Sequence, residues 1–151
     1  MHLAHPPTLL PSSEYLRLQR LMLTMIGSRT AFASVLRRKL GAAVPRLPSA
    51  LLPDRAVSGA LVRFRINGLP SQERMLTWQP PKRGDAVNLS LLSCRGLALL
   101  GLSRGDSVSY RTERNRTEFL EVEDVSHPDR TKATAFAFMA SDGAATGAYD
   151  A

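Results

Sequence analysis

The stretch Leu91–Val108, LLSCRGLALLGLSRGDSV, limits what this chain can fold into more than any other. It reads as the end of a strand, a two-turn helix, a glycine stop, a tight turn and a new strand. Ser93 offers a hydroxyl to the first free N–H groups of the helix, and Gly96–Leu100 gives that helix a small, apolar face. Gly101 closes it, and Gly105-Asp106 turns the chain into the alternating Ser107-Val108-Ser109-Tyr110. Everything between Val57 and Val125 can be built around this helix as one small α+β domain.

A chain of 151 residues suits one domain with an accessory element, or two very small units. Aromatic residues are only 6 % of it, so Leu, Val, Ala and Met must fill most of the core. The net charge of +7 is unevenly spread. Residues 1–53 carry Arg17, Arg20, Arg29, Arg37, Arg38, Lys39 and Arg46 against Glu14 alone, which leaves +1 for the rest. Such an imbalance suggests an anionic partner, nucleic acid or an acidic protein, facing the N-terminal element; a solvated helix face is the plain alternative. Cys94 is the single cysteine, so no disulfide can form within the chain, and a small core residue is the simplest reading of it. No run approaches the roughly 18 apolar residues of a membrane span, and Met1–Pro11 lacks a signal pattern. A cytoplasmic protein without a membrane partner is expected.

Periodicity divides the chain further. Residues 1–11 form a proline-rich, extended lead-in. Ser12 or Ser13 caps a helix to about Met25, with Tyr15, Leu18, Leu21, Met22 and Met25 on one face and Arg17 and Arg20 towards the other. Ser28 caps a second helix, Arg29–Leu40, whose stripe is Phe32, Val35, Leu36 and Leu40; Arg37, Arg38 and Lys39 sit near its C-terminal end and Gly41 stops it. Residues 12–42 are thus a short helical hairpin, marginal alone, that must pack on a neighbour. A helix-turn-helix DNA reader would need a third helix, and none is visible. Residues 43–56, with prolines at 45, 48 and 53, form a linker or strap that Leu47, Leu51 and Leu52 could anchor.

From Val57 the period becomes two. Strands are expected over Val57–Ile66, Gln72–Trp78, Ala86–Leu92, Ser107–Thr112 and Thr117–Val125, several of them antiparallel. Residues 126–151 read as a disordered tail, where Phe136, Phe138 and Met139 could dock weakly.

No catalytic constellation stands out. His2, His5 and His127 have no acidic or cysteine neighbours at metal-ligand spacing, so no metal or cofactor is expected. Glu113, Glu118, Glu121, Glu123 and Asp124 read as solvated charge beside Arg114 and Arg116. Gly101–Gly105 lacks the lysine and hydroxyl of a phosphate loop, and Ser93 lacks a basic partner. Arg63, Arg65, Arg74, Lys82 and Arg83 could make a basic sheet surface for phosphate contact.

Ser93-Cys94-Arg95-Gly96-Leu97-Ala98-Leu99-Leu100-Gly101-Leu102, followed by Gly105-Asp106, resembles the C-terminal signature of bacterial Gre transcript-cleavage factors. It is more similar still to the Gre-like regulators of nucleoside diphosphate kinase, with Cys94 in place of the usual proline. Val57–Phe64 and Met75–Pro80 resemble strands of the same domain. The resemblance implies a short helical hairpin followed, over residues 57–125, by an FKBP-like antiparallel-sheet domain with one short helix. It also implies docking on RNA polymerase near the secondary channel, with Arg95, Arg104, Asp106 and Arg29 as contact candidates. Ser93, Gly96, Ala98, Leu99, Leu100, Gly101 and Gly105 would be the structural motif. Gre factors hold a catalytic Mg²⁺ with acidic residues at the hairpin tip; Thr24–Thr30, TMIGSRT, offers no carboxylate. The expected protein is therefore a nonenzymatic regulator of transcription elongation without cleavage activity and without direct kinase contact. The alternatives are a small basic nucleic-acid-binding (DNA-binding) module, or an enzyme acting on a small ligand.

Overall fold

The computed structural model describes residues 8–46 and 54–128. His2, His5, Leu47, Leu51, Leu52, Phe136, Phe138 and Met139, and with them the expected tail beyond residue 128, lie outside these residues.

The lead-in ends in a strand, β1 (Thr8–Pro11), which runs straight into α1 (Ser12–Leu23). Neither Ser12 nor Ser13 is the cap: Pro11 occupies that position with φ −57°, already set for helix entry, and supplies no side-chain bond. A turn over Thr24–Gly27 reverses the chain, and α2 (Ala31–Ala42) begins two residues later than the Arg29 start expected. Thr30 rather than Ser28 caps it, its Oγ1 accepting from the Ala33 N–H at 3.1 Å, while Ser28 contacts the Thr30 hydroxyl. Gly41 does not stop this helix. The helix runs on to Ala42 and ends because Ala43 turns extended to enter β2 (Ala43–Arg46), which pairs in parallel with β1. The lead-in and the start of the strap thus close into a two-stranded ribbon.

The remaining strands make one sheet in the order β5-β4-β3-β7-β6: β3 (Leu61–Ile66), β4 (Gln72–Thr77), β5 (Asn88–Ser90), β6 (Ser107–Arg111) and β7 (Thr117–Ser126). The sheet is mixed, not antiparallel throughout. Pro80-Pro81 ends β4, and the long connection up to Val87 carries the chain back so that β5 runs parallel to β4. Asn67 and Gly68, both at positive φ, turn β3 towards β4, and the Leu69 N–H closes the turn on the Ile66 carbonyl. Opposite the Arg63/Phe64 step, β7 carries a bulge.

The third helix, α3 (Cys94–Leu99), lies between the hairpin and the sheet, and Gly96 to Leu99 are buried along it. Its cap is Ser93, as expected, with Oγ 3.1 Å from the Gly96 N–H. Gly96 is there because nothing larger fits: a Cβ at this position would stand 2.0 Å from the Ser90 carbonyl oxygen. Gly101 stops the helix at φ +82° and packs under the Thr8 methyl, which joins β1 to the same core. Leu10, Leu18, Leu36, Val62, Phe64, Leu97, Leu99, Leu100 and Leu120 are among the side chains of one continuous apolar core.

The hairpin does not project. Lys39 is wholly buried and donates from Nζ to the carbonyls of Ala98 and Leu100, both at 2.8 Å. These carbonyls belong to the C-terminal end of α3, where a cation is favoured and water cannot reach. Arg38 donates to the Ser109 carbonyl on the edge strand β6. At the base of α1, Trp78 donates from its indole N–H to Glu14 at 2.9 Å, and the Arg17 guanidinium lies 4.5 Å over its ring. Burial raises the Glu14 pKa, against the lowering effects of the Trp78 bond and the Arg17 charge.

Two predictions follow from these contacts. Gly96→Ala forces a backbone clash inside the core and should lower stability by about 3 kcal/mol or more in urea unfolding, whereas Gly41→Ala, in open space within α2, should cost far less. Lys39→Met should cost about 1–3 kcal/mol at neutral pH, because the two carbonyls lose their donor. Burial, then the Arg38 charge, holds the Lys39 pKa well below 10.5, with Asp106 opposing. Between that lowered value and 10.5 the unfolded chain binds the extra proton, so this lysine makes stability rise with pH there. Urea midpoints measured from neutral to alkaline pH should show that rise in the parent chain and lack it in Lys39→Met.

Candidate functional site

The entry to α3 is set by two serines. Buried Ser90 donates to the Gln79 carbonyl at 2.6 Å and accepts from the Leu92 N–H at 3.0 Å. Ser93 in turn donates to the Ser90 carbonyl at 2.7 Å while capping Gly96. This wiring presents Cys94 and Arg95, the first turn of α3, towards the β6–β7 turn. There Arg95 meets Glu118 with two nitrogens, at 3.0 and 3.3 Å, and the Tyr110 hydroxyl donates to the same carboxylate. Burial alone raises the Glu118 pKa, but the bonds from Arg95 and Tyr110 and the Arg95 charge outweigh it and hold the carboxyl below 4.5. Burial, reinforced by Glu118, pushes the Tyr110 phenol well above its ordinary 10.0, so it remains a donor.

Glu113, in the β6–β7 turn, reaches across to the start of α2 and accepts from the N–H groups of Phe32 at 3.1 Å and Ala31 at 3.4 Å. A carboxylate at a helix N-terminus satisfies free donors and meets the positive end of the helix dipole.

Between α3, this turn and the start of α2 lies a cleft of about 520 Å³. Phe32, Leu89, Leu92 and Cys94 provide its apolar lining. Arg114 and Arg116 stand on its rim, exposed, and neither guanidinium makes an ion pair among the described residues. Since Arg95 is matched by Glu118 and Glu113 is committed to α2, the unmatched charge at the cleft is cationic. The arrangement suits an apolar ligand with an anionic edge. It does not suit covalent chemistry: burial, with Glu113 and Glu118 nearby, pushes the Cys94 thiol up to about 11, so the thiolate is scarce at neutral pH. No group of three or more His, Cys, Asp or Glu able to hold a metal ion occurs among the described residues.

The residues expected from the sequence to make one contact surface fall in two places. Arg95 lines the cleft, and Arg29 is exposed two residues before Ala31, whose N–H faces Glu113. Arg104 and Asp106 lie beyond the far end of α3. Asp106 is engaged there: its carboxylate accepts from the Ser103 N–H at 2.9 Å and pairs with Arg55 at 3.7 Å, while Arg104 is exposed in the turn. Gly105 donates its N–H to the Val122 carbonyl, and Ala98, Leu99 and Leu100 are fully buried. Of the supposed basic sheet surface, Arg63 and Arg65 share Glu123 and Arg74 donates to the Asp85 carbonyl, while Lys82 and Arg83 are exposed.

Sequence reasoning missed Lys39, Glu113 and Glu118; Glu118, expected as solvated charge beside Arg114 and Arg116, is instead part-buried and bound by Arg95 and Tyr110. Lys39 had a signal, since its position lies between Val35, Leu36 and Leu40 on the apolar stripe of α2. Glu113 had none, because its partners are some eighty residues away.

No family model matches this sequence, and no curated protein does. Among solved structures, it is similar to the prokaryotic transcription elongation factor GreA/GreB from Nitrosomonas europaea, with a TM-score of 0.57 and 22 % identity over 79 % of this chain and 98 % of that one. The Gfh1 proteins of Thermus thermophilus and Thermus aquaticus also match, at 18 % and 16 % identity, covering 75 % and 82 % of this chain and 85 % and 99 % of theirs. Their TM-scores of 0.38 and 0.40 are too low to carry an argument. What the comparison with the Nitrosomonas protein establishes is the fold: a helical pair joined to an α+β sheet domain, shared along nearly the whole length of that chain.

Proposed function

We propose that this chain is a nonenzymatic transcription regulator that binds RNA polymerase near its secondary channel and does not stimulate transcript cleavage. The observation that carries the reading is the Gre-type fold combined with a hairpin tip, Thr24–Thr30, that has no carboxylate. A tip without acids cannot help hold a catalytic Mg²⁺. The sheet domain is read as FKBP-like in arrangement only, without isomerase activity, and the regulators of nucleoside diphosphate kinase as the nearest functional type, with no direct kinase contact.

In this reading the polymerase meets the exposed Arg114 and Arg116 and the apolar lining of the cleft, with Arg95 in its wall and Arg29 at the same side. Arg104 and Asp106 would form a separate contact or none. Nucleic acid is the weaker reading, because the cations that suggested it are partly spent inside the fold. Lys39 is buried, Arg38 is bound to the Ser109 carbonyl, and Arg17 is stacked on Trp78.

Saturable binding to purified RNA polymerase at low micromolar concentration tests the proposal, and its absence would overturn it. The double change Arg114→Glu with Arg116→Glu should weaken that binding about tenfold or more, equivalent to roughly 1.4 kcal/mol, while Arg104→Glu tests the distal turn on its own. Backtracked complexes should show no added RNA cleavage. Titration of random duplex DNA and RNA at two salt concentrations separates the alternative, since phosphate binding falls steeply with salt.

A further inference from the structure

One surface is left unexplained by the cleft. The side of α1 turned away from the core carries Leu16 and Leu23, 51 % and 69 % exposed, and Ile26 in the following turn is 77 % exposed. Leu16 and Leu23 are seven residues apart and therefore stand on one line along the helix, with Arg20 between them. The broad apolar face of α1, with Leu18, Leu21 and Met22, is already packed in the core, so this ridge is additional to it. Arg17 and Arg20 flank a shallow hollow beside Leu16 and Ser13, and Arg29 follows Ile26 at the tip. The one acid of the helix, Glu14, is occupied by Trp78.

We infer that the outer ridge of α1 is a docking surface for an acidic amphipathic helix of a protein partner. The apolar spacing of seven matches the seam that a second helix presents at its a and d positions, and Arg20 at the centre of the ridge selects glutamate or aspartate on the flank. A second copy of this chain fits poorly, because a two-fold axis through the ridge brings Arg20 against its own mate. A lipid surface needs a wide apolar face lying flat, and here only a narrow line remains outside the core. Nucleic acid would dehydrate three large apolar side chains against phosphate without return. The surface is held ready: the Trp78–Glu14 bond, the Arg17 stacking and the Lys39 and Glu113 contacts fix the hairpin before any partner arrives, which lowers the ordering cost of binding. Leu16, Arg20 and Leu23 do not line the cleft, so the ridge is tested apart from it; Arg29 alone is shared with the polymerase reading.

The test uses the full chain and a fluorescent synthetic peptide, helical, with leucine at heptad a and d positions and glutamate on the flanks, beside a twin with lysine for every glutamate. Anisotropy should show saturable binding of the acidic peptide and none of the twin. Arg20→Glu and Leu23→Ser should each weaken it about tenfold or more, with unchanged thermal unfolding because both sites are exposed. The Arg114→Glu, Arg116→Glu variant should bind the peptide as the parent does, which separates this result from any failure at the cleft. Equal binding of both peptides, or no effect of Arg20→Glu, would overturn the inference. So would preferential binding to anionic phosphatidylserine vesicles or to duplex DNA, or self-association in sedimentation that Leu23→Ser abolishes.

Discussion

The structure depends on what happens at the C-terminal end of a six-residue helix. Helix α3 is buried along Gly96–Leu99, so its last carbonyls have no access to water and must find donors inside the protein. Lys39 supplies them, reaching two carbonyls with one nitrogen. That lysine comes from the hairpin, and so the solution to a local problem in the sheet domain ties the hairpin to the domain. An ammonium in this position is costly to bury, which is why its pKa falls, yet its removal would leave two acceptors without partners.

A second tie works in the opposite direction. The sheet domain lends Glu113 to the N-terminus of α2, as the hairpin lends Lys39 to the C-terminus of α3. Each unit thus completes a helix end of the other, and Trp78 with Glu14 and Arg17 fastens the base of α1. Helices of twelve residues are marginal by themselves, and here they gain their stability from these contacts and the shared core. The same contacts redistribute the charge. Lys39 is turned inward and Arg38 is held on the Ser109 carbonyl, while Arg17, Arg20, Arg29 and Arg37 still face solvent on α1, the tip and α2. Recognition by shape and a few unmatched arginines follows more naturally from this than a general polyanion surface.

The cleft and the α1 ridge divide the outward-facing chemistry between the two units. Both combine apolar side chains with arginine. The cleft owes its form to the paired serines at the start of α3 and to the Arg95–Glu118–Tyr110 cluster, which fixes one wall and neutralises itself.

Local chemistry was sufficient to place the Ser93 cap, the Gly101 stop and the core stripes of α1 and α2, because those depend on neighbours within a few residues. It was less reliable at the helix ends, where Ser12, Ser28 and Gly41 were displaced by strands and turns that the chain enters on either side. The direction of β5, the bulge in β7, the burial of Lys39 and the capping of α2 by Glu113 were decided only by tertiary structure. Each of these pairs residues far apart in sequence, and a lysine or a glutamate has the same local preferences whether it meets water or the end of a distant helix. Arg95 and Arg104 show the same limit: nine residues apart in one motif, they are sent to opposite ends of α3 by a helix whose short length was legible but whose packing was not.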